Sequence, residues 1–275
     1  MSHAKAHAKI NLALVVGPLR DDGKHEVVTV LQQIDLHDDI SLEPSESMVV
    51  EGFADDTIVR AALAALAIVA GVEPKWHVHI EKRIPLAAGL GGGSTDAAAA
   101  LRLANGTLAA PLSSHELHGV AARLGADVPF FLRGGTQLAT GDGTELERIE
   151  LPLDYRIVIV LPDGAAKEST RAVYEEFDAR DGAPGFTERA AALMQELTAT
   201  QRARDLARLP LNDLASSPVA SQVVLTGAFR ADVSGAGPAV YGLFESEKDA
   251  SRAANAVAHA GRTFATRPIE AGDLP

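Results

Sequence analysis

A chain of 275 residues with a net charge of −12 and no cysteine excludes several functions before any motif is read. Disulfides, thiolate metal sites and cysteine nucleophiles are ruled out, and the acidic balance argues against broad binding to a nucleic-acid backbone. Its 47% hydrophobic and 23% charged residues are ordinary for a soluble globular protein of one large domain or two, and a locally positive pocket for one small anionic ligand stays open.

The first apolar run, in "MSHAKAHAKINLALVVGPLR", is short and ends at Gly17-Pro18 without a small-residue cleavage site, so no secretion signal is expected. His3 and His7 are expected in a mobile tail. Lys9 to Val16 alternate as a strand does, which puts Lys9 and Asn11 on one face. "GPLRDDGKH" supplies turn chemistry, and "EVVTVLQQIDL" reads as the returning strand of a hairpin. "DDISLEPSESMVVEG" continues the β pattern, and Ile58 to Ala70 reads as a helix. The apolar run Ala61 to Val72 falls short of the roughly 20 residues a membrane span needs. "KWHVHIEKRIP" is another strand, whose His77 and His79 share a face but lack a third metal ligand and read as ordinary surface residues.

A helix is expected over Ser114 to Leu124 with Gly125 as its C-cap. Asp127 before Pro129 has the pattern of a helix N-cap. The polar stretch "ATGDGTELERIELPLD" is the expected boundary between a domain of residues 1–150 and one of 151–275, with Glu145 to Glu150 as a solvated face. After it come a strand in "YRIVIVLP", helices over Ser169 to Phe177 and Thr187 to Thr198, and two strands around the glycine turn of "ADVSGAGPAVYGLFES". Asp249 to Ala260 as a helix and "TFATRPI" as a last strand complete the chain. Strands and helices mix without strict alternation, which favours α+β.

"PLAAGLGGGSTDAAAA", Pro85 to Ala100, carries the strongest local signal. Four glycines within five residues indicate backbone dihedrals or close approaches that other residues forbid. The alanines that follow form a helix, whose first N–H groups lack partners and whose dipole favours anions. The segment is therefore a candidate phosphate cradle. A Walker A loop is excluded because no lysine occurs between Lys82 and Lys167, and a dinucleotide fingerprint fails because serine stands at the third glycine position. A glycine–serine loop that grips phosphates through N–H groups and hydroxyls remains, against a ligand-free tight turn.

This loop, with "AKINLAL" at Ala8 to Leu14 and "VSGAGPAV" at Val233 to Val240, resembles the three signatures of the superfamily of galactokinase, homoserine kinase, mevalonate kinase and phosphomevalonate kinase. Within it, "AKINL", "DGKH", "LGADVPFFL", "NDL" and "SGAGP" most resemble the members that phosphorylate the 2-hydroxyl of 4-diphosphocytidyl-2-C-methyl-D-erythritol, on the non-mevalonate route to isoprenoids. The resemblance implies a two-domain α+β kinase, its N-terminal domain like the second domain of ribosomal protein S5 and its C-terminal domain ferredoxin-like. ATP and Mg²⁺ are implied as cofactors and a small molecule as partner, without nucleic acid or membrane, in a cytoplasmic monomer or weak homodimer.

Residue by residue, the resemblance implies that Pro85, Leu86, Ala87, Ala88, Gly89, Leu90, Gly91, Gly92, Gly93, Ser94 and Thr95 wrap the triphosphate, with Ser94 near Mg²⁺. It maps the base to Asp127 and its cationic neighbour to Lys9. A carboxylate can take the hydroxyl proton while an ammonium offsets developing charge. Substrate contacts map to Asn11, His25, Thr170 and Tyr174, with Tyr174 stacking on the cytosine. Lys24 stands where the resembled members have tyrosine, His7 where they have proline, and Asp56 where they have the asparagine of an adenine contact. Two alternatives stay open at this level: a homoserine- or mevalonate-type kinase, and a nucleotide-binding homologue without catalysis.

Overall fold

The computed structural model describes residues 1–53, 57–164 and 169–271. Asp56 lies outside them. Strands β1 (Ser2–Leu19) and β2 (His25–Pro44) form a long antiparallel hairpin. Its turn is closed by the Arg20 N–H donating to the Lys24 carbonyl at 2.7 Å and the Lys24 N–H donating to Asp22 Oδ1 at 3.0 Å, the backbone mimicry by which Asp initiates turns. The pairing runs from Leu19–His25 out to Ser2–Leu42. The expected mobile tail is therefore wrong. His3 and His7 are paired with Ser41 and His37, Ala4 and Ala6 are buried, and β2 is long enough to template the whole N-terminus. Register shifts at His7/Lys9 and Asn11/Ala13 re-aim the side chains between them.

β3 (Val49–Glu51), α1 (Thr57–Ala70), β4 (Trp76–Glu81), α2 (Gly92–Asn105), α3 (Ser114–Ala122), α4 (Val128–Arg133), β5 (Thr136–Thr140) and β6 (Glu145–Arg148) follow. β2 pairs with β4 through Asp39 to Pro44 and with β5 through Thr29 to Gln32, giving a six-stranded sheet. The alanines of α2 do more than favour helix. Ala97 to Ala100 are fully buried in the core that also holds Leu63, Leu66 and Phe130, because methyl side chains let the helix approach the sheet closely. α3 ends at Ala122 with Arg123 as its C-cap instead of the expected Gly125, and Ser113 and Glu116 form its capping box.

The rest of the chain comprises β7 (Arg156–Pro162), α5 (Thr170–Ala179), α6 (Phe186–Ala199), α7 (Pro218–Leu225), β8 (Arg230–Val233), β9 (Val240–Phe244), α8 (Glu247–Ala256) and β10 (Gly261–Thr266). Its sheet has the antiparallel order β10-β7-β9-β8. The α+β class expected from the sequence holds. One apolar cluster joins the two sheets, packing Ile10, Leu12 and Val15 with Tyr155, Ile157 and Leu243. The buried Tyr241 hydroxyl donates to the Leu12 carbonyl at 3.2 Å across the same contact. That joint holds the two halves of the cleft described next.

Candidate active site

The glycine loop is held from two sides. The Lys9 N–H donates to the Leu90 carbonyl at 3.0 Å, while Ser234 Oγ donates to Gly89 O and the Ala239 N–H to Ala88 O. Helix α2 begins inside the glycine run, with Gly91 at its N-cap in the left-handed region at φ 74°. Gly89, at φ 83°, shows why the loop admits no side chain, since a Cβ there would lie 2.2 Å from the Ser234 carbonyl oxygen. Reciprocally, a Cβ on Gly237 would lie 2.2 Å from Ala88. Two glycine-rich segments distant in the chain thus interlock, and the missing side chains of Gly89 and Gly237 serve that contact.

A cleft of about 460 Å³ opens over this loop. Lys9, Asn11, Pro85 to Gly93, Ser94, Asp127, Thr170 and Tyr174 all line it, so most residues singled out from the sequence converge there. Two do not. Thr95 turns inward, 2% exposed, with its N–H on the Gly91 carbonyl, because it already belongs to the first helical turn. His25 lies behind Tyr174: the rings stack with centroids 5.0 Å apart and planes at 26°, and His25 Nδ1 meets the Gly17 carbonyl at 2.8 Å. One face of Tyr174 is therefore taken by His25.

One wall of the cleft is built on β1. Lys9 Nζ donates to Asn11 Oδ1 at 2.6 Å, Asn11 Nδ2 donates to Thr29 Oγ1 at 2.8 Å, and Thr29 Oγ1 donates to the Ala13 carbonyl at 2.7 Å. This relay fixes a buried ammonium 3.6 Å from Asp127 Oδ2. Asp127 occupies the N-cap position of α4, but its side chain makes no capping hydrogen bond. The capping role its sequence context suggests is not filled, and the carboxylate is left for the cleft. Tyr174 is pushed up to about 12 by burial, with the charge of Asp127 adding to the shift.

Sequence reasoning missed the support beneath the loop. Lys82, also in the cleft wall, donates to Asp38 Oδ2 at 2.5 Å and to Asp96 Oδ2 at 2.6 Å. Asp38 further accepts the Arg83 and Ile84 N–H groups at 2.5 and 2.8 Å. Burial pushes the Asp96 carboxyl up to about 8, with Lys82 opposing and Asp38 adding like charge. Burial also works against the Lys82 ammonium, but the two carboxylates more than offset it and its pKa is raised. Also unforeseen are Asn212, which donates to the carbonyls of Val233 and Gly235 at 3.0 and 2.7 Å, and Asp213, whose Oδ2 accepts the Val16 N–H at 2.9 Å. "NDL" therefore works as a brace between β1 and the "SGAGP" turn. Only its place among the quoted motifs could have drawn attention to it.

Lys24, exposed at the hairpin turn, pairs with Asp142 Oδ2 at 2.5 Å. Burial would raise the Asp142 carboxyl, but hydrogen bonds from Lys24 and Thr144 pull it down to about 2. Among the described residues no helix is long and apolar enough to cross a membrane.

A glycine–serine loop at a helix N-terminus, facing a lysine and a carboxylate across a cleft between two α+β halves, defines a small-molecule kinase of the GHMP class. The model of the GHMP kinases N terminal domain matches residues 56–135, and that of the GHMP kinases C terminal domain matches residues 218–263. The chain is 38% identical over 269 residues to the 4-diphosphocytidyl-2-C-methyl-D-erythritol kinase of Prosthecochloris aestuarii, covering 91% of each chain. It is 39% identical to the enzyme of that name from Salinispora arenicola, covering 90% of this chain and 84% of the relative. A crystal structure of 4-(cytidine 5'-diphospho)-2C-methyl-D-erythritol kinase superposes with a TM-score of 0.79 at 30% identity, covering 97% of this chain and 99% of the other. A mevalonate kinase structure at 15% identity and TM-score 0.77 shares the fold. The chain belongs to the family of 4-diphosphocytidyl-2-C-methyl-D-erythritol kinases.

Proposed function

We propose that this chain transfers the γ-phosphate of ATP to the 2-hydroxyl of 4-diphosphocytidyl-2-C-methyl-D-erythritol. The observation that carries the chemistry is the approach of Lys9 to Asp127 at the open end of the glycine-loop cleft. In the transfer, the bond from the γ-phosphorus to the bridging oxygen of ADP breaks and a bond from phosphorus to the substrate oxygen forms. The hydroxyl proton passes to Asp127. Phosphoryl transfer asks little covalent work of a protein and much positioning and charge neutralisation. Lys9, held rigidly by Asn11, and the free N–H groups of the first turn of α2 supply that neutralisation from fixed positions.

Ser94 is the residue that would hold a Mg²⁺ ion. It lies on the first turn of α2, it lines the cleft, and its hydroxyl has no hydrogen-bond partner among the described residues. Mg²⁺ takes few protein ligands and keeps several waters, and it would supply charge neutralisation on the phosphates. Asp38 and Asp96 are engaged by Lys82 and sit below the loop. Thr170 and the face of Tyr174 turned away from His25 form the wall offered to the cytosine end. The same reading divides the chain near residue 150, supported by β6 ending at Arg148 and β7 starting at Arg156.

The test is ADP release with Mg-ATP and 4-diphosphocytidyl-2-C-methyl-D-erythritol, run beside homoserine and mevalonate, with Asp127→Asn as control. Turnover confined to the cytidine substrate and lost in the variant supports the reading. Folded, ATP-binding protein without turnover on that substrate overturns it.

A further inference from the structure

A second constellation lies outside the cleft, where β1 and β2 pair just before the register shift at His7/Lys9. His7 and His37 face each other in that register, and Asp35 is two residues before His37. His7, Asp35 and His37 each offer one ligand atom, all within 4.8 Å of one another. His7 is buried, and its Nδ1 has no hydrogen-bond partner. Asp35 Oδ1 lies 3.9 Å from that nitrogen, too far for a hydrogen bond. A buried nitrogen left without a partner is costly, and a cation between these atoms would satisfy it.

We propose that His7, His37 and Asp35 form a binding site for a divalent late first-row transition cation of the Zn²⁺ type. Bonds of about 2.0–2.1 Å in tetrahedral geometry put ligand atoms roughly 3.4 Å apart. The spacing here closes to that by small adjustments of the partly exposed Asp35 and His37. The surroundings match a metal site. Asp35 Oδ2 is already held by Arg267 Nε at 3.2 Å, leaving Oδ1 for the ion. His37 Nδ1 meets the Asp35 carbonyl at 2.8 Å. Ring nitrogens anchored on main-chain carbonyls are how metal-ligating histidines are oriented. Two imidazoles and one carboxylate select a borderline cation over Mg²⁺, which prefers oxygen. Partial exposure of His37 and Asp35 gives the ion an entry path, and an open position remains for water. The bound ion would clamp β1 to β2 two residues before Lys9.

The test uses tag-free, chelator-treated protein titrated with Zn²⁺ against a chromophoric zinc indicator. One equivalent per chain is expected, retained in excess Mg²⁺, with a Zn²⁺-dependent rise in melting temperature. His37→Gln and Asp35→Asn, both at partly exposed positions, are expected to weaken binding by more than about 100-fold, since partners beyond the ligands are themselves worth roughly 10–100-fold. His77→Gln, on another strand pair, is expected to bind as the parent does. Absence of Zn²⁺ binding by the parent protein, or equal binding in His37→Gln and Asp35→Asn, overturns the site.

Discussion

Lys9 Nζ lies 3.6 Å from Asp127 Oδ2, and the two groups are unequal: the lysine side chain is 4% exposed and the aspartate 38%. The cation is anchored inside by Asn11, while the carboxylate faces the cleft with lone pairs uncommitted to capping α4. In the proposed transfer, an acceptor hydroxyl entering the cleft would meet a carboxylate uncommitted to capping and an ammonium fixed in place.

Removing the proposed base while keeping its shape isolates the proton step. Asp127→Asn is expected to lower kcat by about 10²–10⁴-fold, the usual contribution of general-base catalysis, with an unchanged melting temperature. Lys9→Met is expected to lower kcat as well, and to destabilise the fold by about 1–3 kcal/mol, because Asn11 Oδ1 loses its buried donor. Steady-state ADP release and thermal melts check both, and an Asp127→Asn enzyme as active as its parent would sink the assignment.

The interlock of the two glycine segments separates backbone strain from steric exclusion. Gly23 and Gly89 have nearly equal angles, φ 78° and 83°, but a Cβ on Gly23 meets nothing within 4 Å whereas one on Gly89 meets backbone at 2.2 Å. Gly23→Ala is expected to cost about 1–2 kcal/mol from left-handed backbone alone. Gly89→Ala is expected to cost several times as much or to abolish folding. Urea unfolding of the two variants side by side decides it.

Beneath the loop, Asp38 and Asp96 share Lys82 but differ in role. Asp38→Asn is expected to cost about 3–5 kcal/mol, since it breaks a buried pair whose oxygens accept three hydrogen bonds. Asp96 has a folded-state pKa raised from 3.8 to about 8, so the folded protein binds a proton that the unfolded chain releases. Its contribution is fully present below about pH 4 and is lost as pH rises through 8. Asp96→Asn is expected to remove that slope and leave a folded protein. Unfolding free energies measured from pH 5 to 9 read the difference.

Beside Asp142, which lines the cleft, Lys24→Tyr is expected to lower KM for the cytidine substrate by roughly 5-fold or more at similar kcat, as a stacking ring adds about 1–3 kcal/mol of uniform binding. The same change removes the principal hydrogen bond holding Asp142 down at about 2. Because that pKa is depressed, its stabilisation is present above about pH 4 and lost as pH falls toward 2. The variant is therefore expected to be less sensitive to acid over that window. An unchanged KM would show that the position lies outside the base pocket.

Much of the site was legible because its signals are local. The glycine–serine loop, the alternation that puts Lys9 beside Asn11, and Asp127 ahead of Pro129 are each written within a few residues. Lys82 was not legible as a support, since its carboxylate partners lie 44 and 14 residues away in the chain. Nor could the stacking of His25 on Tyr174 be read, because strand β2 and helix α5 meet only in the folded chain. The N-terminal strand reads as a tail because alanine is a weak strand former; Ala4, Ala6 and Ala8 do alternate with Lys5, His7 and Lys9, but the segment is ordered by the β2 residues it pairs with.

The sequence by itself determined the α+β class, the hairpin, the glycine loop at a helix start and the identities of the lysine and aspartate that line the cleft. These follow from short-range rules of side-chain periodicity, turn chemistry and backbone freedom, which act within a few residues. Tertiary structure alone decided that Asp127 faces Lys9 instead of capping α4, that Gly89 and Gly237 interlock, and that His7, Asp35 and His37 converge beyond the cleft. Those relationships depend on strand register and on packing between distant segments, and their energy is collected only once the chain has closed on itself.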